Sequence, residues 1–356
     1  MCGTGTWLGA MAHGLLGSNE IELGIIAPGP DKHFIRSDYR QVKQWLVPSR
    51  PLGRDGLPPT TLIQSIVAAV NEYAPDVIHI WGTEGWWGLL TARGLLEYPA
   101  LLEMQGLKGE IAKVFYGGLT LSERLSCIGI KEVLKRRTMH ADRRDCLLSA
   151  LREAEIIQGH RFVGVQTQWL ASHVKVHNPD VQLVWNDFLL RQPFYDSNGW
   201  QGPSHPTLFY TASYTSPFKG LHLVVRALAL LRTRIPSARL RIAGAHQRVG
   251  IRQDGYMRWI NQMIREFGLE DAIEWLGPIN GAQIIKELES SAAAVIPTYV
   301  EGYCLAFAEA MILGTPTVVA YAGGTSYLGK DEESCLFFFA RRRGDVRLPT
   351  GTSVDR

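Results

Sequence analysis

Apolar and polar positions along the second half of the chain form blocks that predict strands and helices in strict turn. Strands are expected at 207–213, 238–244, 272–276, 292–297 and 316–321, and helices at 219–234, 253–267, 281–290 and 304–313. A helix after each strand is typical of a parallel sheet that is covered by helices on both faces. We therefore predict a doubly wound α/β domain in this half.

The first half shows similar patterns with less regularity. Leu62 to Tyr73 has helical spacing, and residues 75–82 predict a turn, a buried strand and a glycine stop. A second apolar run, 100–106, ends in the same way, and Phe162–Val165 is a further strand candidate. Short apolar runs that follow one another in this way are expected in a parallel sheet.

Residues 121–157 predict a long polar helical stretch that carries a basic run. The basic residues are Lys131, Lys135, Arg136, Arg137, Arg143 and Arg144. The favoured interpretation is a solvated helix face. The alternative is contact of 131–144 with anionic lipid headgroups, as at the inner face of a membrane, or with phosphates of an acceptor.

A turn-rich stretch at 191–206 suits a linker. The chain has 356 residues, too many for one ordinary core, and a prior of about 150 residues per domain favours two domains. We therefore place an N-terminal domain at 1–195 and a C-terminal domain at 196–356.

Composition narrows the class of protein. Hydrophobic residues make up 46% and charged residues 20%, as in globular proteins, and a net charge of +3 gives no reason to expect nucleic acid. The 5 cysteines are scattered without zinc-site spacing, which favours a reduced cytosolic protein. Neither a signal peptide nor a membrane-spanning run is evident in the sequence, so a cytoplasmic location is expected.

Candidate chemistry lies in the loops after the predicted strands, because ligands of doubly wound sheets bind there and helix N-termini favour anions. Lys219 stands at the start of a predicted helix, where it suits a diphosphate; an ordinary exposed lysine is equally compatible with its position. Glu301 lies in a loop beside Gly302, which lets a ligand approach closely. Glu309 lies among apolar residues of the next helix and is expected to have a hydrogen-bonding partner. As an isolated pair, these two glutamates would be better explained as structural.

A longer pattern around the two glutamates points to a family. Glu301 and Glu309 are separated by seven residues within Glu-Gly-x-x-Leu-x-x-x-Glu-Ala-Met-x-x-Gly-x-Pro-x-Val. This pattern resembles the E-x7-E signature of the retaining GT-B glycosyltransferases of family 4. Further segments occur in the order of that family: Lys219-Gly220, Leu240–Gly244, Trp275–Ile279 and Gly323-Gly324.

The resemblance implies two Rossmann-like domains that face each other across a cleft. It also implies transfer of a sugar, with retention, from a nucleotide sugar to a glycan, lipid-linked or small-molecule acceptor, as in polysaccharide biosynthesis, without a metal or other cofactor. Lys219 and the amides near Gly5 would meet the diphosphate, Glu301 the sugar and Glu309 the ribose, and backbone near Gly277 and Ile279 would hold the base. The complete expected donor site is Gly5, Ser213, Tyr214, Lys219, Gly244, Gly277, Ile279, Glu301, Gly302, Tyr303, Cys304, Leu305 and Glu309, with Glu301 and Lys219 as catalytic residues.

The first half resembles the same family through a glycine-rich loop at Gly3–Leu8 and through Asp76–Glu84. The resemblance makes His79, Glu84 and Gln105 candidates for the acceptor side. A histidine on a strand is more often a hydrogen-bonded core residue, and His79 is interpreted in that way. Gln105 stands where many relatives carry a histidine, so that role does not transfer to it unchanged.

Three departures from the family leave other functions open. Tyr214 stands where relatives usually have an arginine, the sequence starts at the glycine loop without the usual leading strand, and the further helices of relatives have no counterpart after Phe337–Phe339. A nucleotide-sugar epimerase of the same fold is one alternative. A non-catalytic subunit that binds the donor is the other.

Overall fold

The computed structural model describes residues 6–39, 42–211, 216–244 and 254–340. Helices of the first part are α1 Thr6–Leu16, α2 Thr60–Tyr73, α3 Leu89–Ala92, α4 Lys108–Val114, α5 Leu121–Ser126, α6 Ile130–Leu134, α7 Met139–Gln158, α8 Gln168–His177 and α9 Gln192–Tyr195. Its strands are β1 Gly24–Gly29, β2 Ile35–Arg36, β3 Lys43–Pro48, β4 Ile78–Trp81, β5 Ala100–Glu103, β6 Phe162–Val165 and β7 Gln182–Trp185.

The second part alternates strands and helices as predicted. It contains β8 Thr207–Thr211, α10 Leu221–Arg232, β9 Arg239–Ala243, α11 Gly255–Glu266, β10 Ile273–Gly277, α12 Gly281–Ser290, β11 Ala293–Ile296, α13 Leu305–Ile312, β12 Thr317–Ala320, α14 Thr325–Leu328 and β13 Leu336–Phe338. Each predicted strand and helix is confirmed with small shifts at its ends. The end of the strand predicted at 207–213 lies outside the described residues.

The strand order of the second sheet decides where a ligand can bind. The order is β10-β9-β8-β11-β12-β13, and every pairing is parallel. The chain adds strands outward from β8 in one direction and then continues from β11 in the other. The strand order thus reverses between β8 and β11, and the crevice at the carboxyl ends of these two strands is the usual ligand site of such a sheet.

Strands of the first part lie in two sheets. Strand β3 pairs with β1 in parallel and with β2 antiparallel, whereas β4, β5, β6 and β7 form a consecutive parallel sheet. The fully buried side chains of Leu102, Val163 and Ile156 lie in the core between this parallel sheet and its helices. The predicted strands at 75–82, 100–106 and 162–165 are confirmed as β4, β5 and β6.

The helical stretch predicted at 121–157 is divided into three helices, α5, α6 and α7, because each of them has its own start. Thr120 and Glu123 form a reciprocal capping box before α5, Gly129 precedes α6, and the hydroxyl of Thr138 accepts a hydrogen bond from the Ala141 amide before α7. Arg136 adopts a φ of 51° in the connection between α6 and α7. Side-chain caps thus outweigh the helical propensity of the intervening residues.

Breaking this helix allows the segment to pack against the second part of the chain. Cys127 is buried in the cluster formed by α10 and α11, and Glu123 pairs with Arg226 at 2.6 Å. Glu132 pairs with Arg258 at 3.2 Å. The two parts are therefore joined by buried apolar contact and ion pairs as well as by the chain between β7 and β8. No helix within the described ranges combines the length and apolar character that crossing a bilayer requires.

Candidate active site

The loops after β8 and β11 meet at the crevice where the strand order reverses. The Tyr299 amide donates to the Phe218 carbonyl at 2.8 Å, which joins the two loops directly. Gly220 adopts a φ of 75°, and a methyl group at this position would collide with the carbonyl oxygen of Pro297. Only glycine fits this close approach without strain. The backbone itself thus holds the two loops together.

Lys219 and Glu301 form an ion pair across these loops. The Lys219 Nζ lies 2.6 Å from Glu301 Oε1, and each side chain is 20% exposed. A short helical turn, Pro217–Lys219, carries the lysine, and its carbonyl accepts a hydrogen bond from the Tyr210 hydroxyl at 3.2 Å. A cation and a carboxylate are therefore fixed side by side at the mouth of the crevice, still reachable from solvent.

A third loop supports the backbone of Glu301. Gly324 donates its amide to the Glu301 carbonyl at 2.8 Å, and Gly323 has a φ of 62°. A methyl group on Gly323 would collide with the same carbonyl oxygen. The glycine pair after β12 thus packs directly on the glutamate loop.

Glu309 lies on α13 and finds its partner in the linker. Its side chain is nearly buried, and Oε1 lies 2.6 Å from Arg191 Nη2. Burial raises the pKa of Glu309, and the guanidinium of Arg191 opposes that rise. The sequence indicated that this glutamate needs a partner, but a single arginine 118 positions earlier gave no signal of being that partner.

Cys304 connects the three charged groups. It precedes α13 with a φ of 77°, and its thiol is buried. Burial raises the pKa of this thiol, the carboxylates of Glu301 and Glu309 raise it further, and Lys219 lowers it. Each of the three charges therefore acts on one thiol at the start of α13.

The remaining donor-site candidates fall into two groups. Gly244 donates its amide to the Gly277 carbonyl at 2.8 Å, so the ends of β9 and β10 lie side by side, and Ile279 packs against the core cluster that contains Ala243. Tyr303 instead packs edge-on against Phe188 with ring centroids 5.3 Å apart, which places its ring in the core. Leu305 packs against the same core cluster. Gly5, Ser213 and Tyr214 lie outside the described residues.

On the acceptor side, His79 contacts a buried carboxylate. Its Nε2 lies 3.1 Å from Glu103 Oε2, and Glu103 also accepts hydrogen bonds from the side-chain amides of Asn186, at 2.8 Å, and Gln166. Glu103 is fully buried in the sheet. His79 thus belongs to a polar network with Glu103, while its side chain stays 27% exposed.

Glu84 and Gln105 lie closer to the second part of the chain. The carboxylate of Glu84 lies against Gly82 and Gly106, and burial raises its pKa. A methyl group on Gly302 would collide with the carbonyl oxygen of Gln105. The loop that carries Glu301 therefore touches the loop that carries Gln105.

Two side chains of this region were missed from the sequence. Thr167 donates its hydroxyl to the Gly302 carbonyl at 3.0 Å, which joins the two parts of the chain next to Glu301. Glu153 on α7 is 2% exposed and accepts hydrogen bonds from the Thr83 hydroxyl and the Lys108 amide, at 2.9 and 3.0 Å. Burial raises the pKa of Glu153 to about 7. Neither Thr167 nor Glu153 belongs to a motif or a periodic pattern, so the sequence alone did not indicate their roles.

Comparison with known proteins finds a family match in the second part of the chain. Residues 199–342 match the family described as Glycosyl transferases group 1. This stretch is similar in sequence to the group 1 glycosyl transferases. The matched stretch contains Lys219 and Glu301, which pair across the loops after β8 and β11, and Glu309 on α13.

A curated relative shows how much of the chain is shared. D-inositol 3-phosphate glycosyltransferase of Stackebrandtia nassauensis is 32% identical over 147 residues, which are 41% of this chain and 32% of that protein. The chain thus spans about a third of the length of this relative.

Two solved structures share the fold over most of the chain. Sucrose-phosphate synthase from Thermosynechococcus elongatus gives a TM-score of 0.64 at 16% identity, covering 94% of this chain and 78% of that one. Anabaena HepE, solved in complex with UDP-glucose, gives a TM-score of 0.55 at 16% identity. The match covers 83% of this chain and 72% of that one. The predicted GT-B fold is therefore confirmed.

Proposed function

We propose that the protein is a retaining glycosyltransferase of family 4 that moves a sugar from a nucleotide-sugar donor to a glycan, lipid-linked or small-molecule acceptor. The observation that carries this proposal is the Lys219–Glu301 pair, 2.6 Å apart, at the reversal point of the parallel sheet. The match of residues 199–342 to the group 1 family supports it. The structure of HepE with UDP-glucose supports a nucleotide sugar as donor.

The charges at the crevice suit the chemistry of sugar transfer. The bond between the anomeric carbon and a phosphate oxygen breaks, so negative charge grows on the diphosphate and positive charge on the sugar. Lys219 stabilises the leaving diphosphate without a metal ion, and Glu301 contacts the sugar. Glu309 accepts hydrogen bonds from the ribose hydroxyls, and the backbone at Gly277 and Ile279 holds the base.

The acceptor enters from the side of β4 and β5. Glu84 and Gln105 lie at the ends of these strands, and the Gln105 loop touches the Glu301 loop. A hydroxyl bound between them would face the anomeric carbon of a sugar on Glu301. His79 supports this edge through Glu103 and does not contact the acceptor itself.

A screen of nucleotide sugars for thermal stabilisation, followed by product analysis with the one that binds, tests the function. We expect one nucleotide sugar to raise the melting temperature and its labelled sugar to move to an added acceptor with unchanged anomeric configuration. An isomerised nucleotide sugar formed without acceptor would indicate the epimerase. Binding without turnover across a range of acceptors would indicate the donor-binding subunit.

We further propose that α5 and α6 rest on an anionic membrane at its cytoplasmic face. These helices expose an apolar set of side chains: Leu121, Leu125, Ile130, Val133 and Leu134. Ile130 is 82% and Leu134 78% exposed, which is costly in water and is typical of a surface that has a partner.

The basic residues beside this apolar set provide charge complementarity to anionic lipid. Lys135, Arg136 and Arg137 follow directly and are exposed, as is Arg144. Arg143 is instead tied to the Ala112 carbonyl by its Nε at 2.9 Å. Apolar side chains flanked by exposed cations are typical of interfacial helices, and this combination favours membrane contact over the solvated face.

Vesicle co-sedimentation tests the membrane contact. We expect binding to vesicles that contain phosphatidylglycerol, weak binding to pure phosphatidylcholine, and loss of binding in an Ile130→Ser/Leu134→Ser variant. Leu230→Ser is the matched control, because Leu230 is 72% exposed on α10 of the other part of the chain. Equal sedimentation of both variants, or none by the wild type, would contradict the contact.

A further inference from the structure

Arg191 occupies a position that the proposed chemistry does not yet use. It lies in the chain between β7 and α9, and its guanidinium reaches three separate elements. It lies over the ring of Phe194 at 4.8 Å, its Nη2 lies 2.6 Å from Glu309 Oε1, and its Nη1 lies 3.0 Å from the point where a side chain on Gly281 would begin. The linker, the start of α12 and the middle of α13 thus meet at one side chain.

Without Glu309, this arrangement would place two positive charges next to each other with no negative charge between them. The N-terminus of α12 carries the positive end of the helix dipole, and the guanidinium adds a full positive charge beside it. Glu309 is a nearly buried carboxylate that would be costly to keep ionised without a cation. Each charge therefore needs the other, and the pair fixes the direction in which the carboxylate points.

The pair leaves part of its hydrogen-bonding capacity unused. Within the part of the chain that the structure describes, Arg191 Nε is buried and has no hydrogen-bond partner. Among the same residues, Glu309 accepts a hydrogen bond through Oε1, and its Oε2 has no hydrogen-bond partner. Arg191 thus holds one carboxylate oxygen from the linker side and leaves the other available to a ligand in the crevice.

We propose that Arg191 is a positioning residue for nucleoside recognition, which keeps Glu309 ionised and oriented so that its second oxygen accepts hydrogen bonds from the ribose. The inference rests on the proposed function, since it assumes a nucleotide in this crevice. It extends the site to a residue outside the recognised motifs and outside residues 199–342.

The pH dependence of nucleotide binding separates this role from a merely structural one. Among the residues that the structure describes, Arg191 is the charge that lowers the pKa of Glu309, so without the guanidinium a larger share of Glu309 would be protonated near neutral pH. Glu309 also interacts electrostatically with the Cys304 thiol. Burial raises the pKa of this thiol, so it stays neutral near neutral pH. Binding to a variant without Arg191 should therefore recover as the pH rises.

The experiment measures the affinity of UDP, GDP or ADP, whichever stabilises the wild type most, by calorimetry at several pH values. We expect Arg191→Met to weaken binding about tenfold near neutral pH, the scale of one charge-assisted hydrogen bond, and to approach the wild type at higher pH. Arg191→Lys should retain part of the affinity. In a Glu309→Gln background, Arg191→Met should cause no further loss, because a neutral amide does not need the cation.

The possible outcomes distinguish the positioning role of Arg191 from the proposed function. A pH-independent loss in Arg191→Met, or a full further loss in the Glu309→Gln background, would contradict the positioning role while leaving the proposed function in place. The double variant carries no unpaired buried charge, so it also serves if Arg191→Met alone fails to fold. Absence of nucleotide binding by the wild type would contradict the proposed function and the inference with it.

Discussion

Glu153 offers a quantitative test of how the acceptor-side loops are held. Its carboxylate accepts hydrogen bonds from Thr83 after β4 and from the amides of Lys108 and Gly109 at the start of α4. These bonds tie together the loops that carry Glu84 and Gln105. We propose the substitution Glu153→Gln, which keeps the shape of the side chain and removes its charge.

The sign and size of the effect follow from the pKa of Glu153. Burial raises it from 4.5 to about 7 in the folded protein, so the folded state binds a proton more tightly than the unfolded state. The stability from this group is fully present below the unfolded pKa and is lost as the pH rises through the folded pKa. The difference of roughly 2.5 pKa units corresponds to about 3 kcal/mol at most.

Denaturant unfolding at a series of pH values measures this loss directly. We expect Glu153→Gln to gain free energy of unfolding relative to the wild type between about pH 5 and pH 8, by about 2–3 kcal/mol, because glutamine has no proton to lose. Glu155→Gln is the matched control on α7: Arg93 lowers the pKa of Glu155, and the exposed pair contributes below about 1 kcal/mol. A difference between Glu153→Gln and the wild type that does not change with pH would refute the reasoning.

Further substitutions test other parts of the site. Lys219→Met and Glu301→Gln should each lower kcat about 10²- to 10³-fold in initial-rate assays with the donor that binds. Unchanged rates would show that the ion pair takes no part in sugar transfer. Gly220→Ala should lower the free energy of unfolding by about 2–3 kcal/mol in denaturant titrations, because the added methyl group meets the Pro297 carbonyl. The control Gly268→Ala has a φ of 61° and open space around the residue, and it should lower this free energy by about 1 kcal/mol. Equal losses in the two variants would contradict the clash. Cys304 should react with iodoacetamide only in denaturant, since its thiol is buried and its pKa raised, and rapid labelling of the native protein would contradict this.

Elements with strong periodicity were predictable from the sequence, because burial on both faces of a parallel sheet leaves a clear pattern. Strands β9, β10, β11 and β12 follow this rule. Strand β13 was not predicted, since its three residues are too short to show a period. The division of the helical stretch at 121–157 into three helices was not predicted, because side-chain caps act within three residues and a long helical window averages over that range.

Some residues of the candidate site were likewise predictable from the sequence, and others were not. Lys219 and Glu301 could be placed from the sequence, because both lie in loops that leave the same edge of the sheet. The partner of Glu309 could not, since Arg191 reaches it through the path of the linker and no local pattern encodes that path. The boundary at residue 195 and the individual roles of the site residues stay predictions.

The central claim is that Lys219, Glu301 and Glu309 bind one nucleotide sugar. A crystal structure with the nucleoside diphosphate that stabilises the protein most would test it directly. We predict the diphosphate within hydrogen-bonding distance of Lys219 Nζ and the ribose hydroxyls on the Glu309 carboxylate. A nucleotide bound away from the crevice between β8 and β11, with neither contact, would contradict the claim.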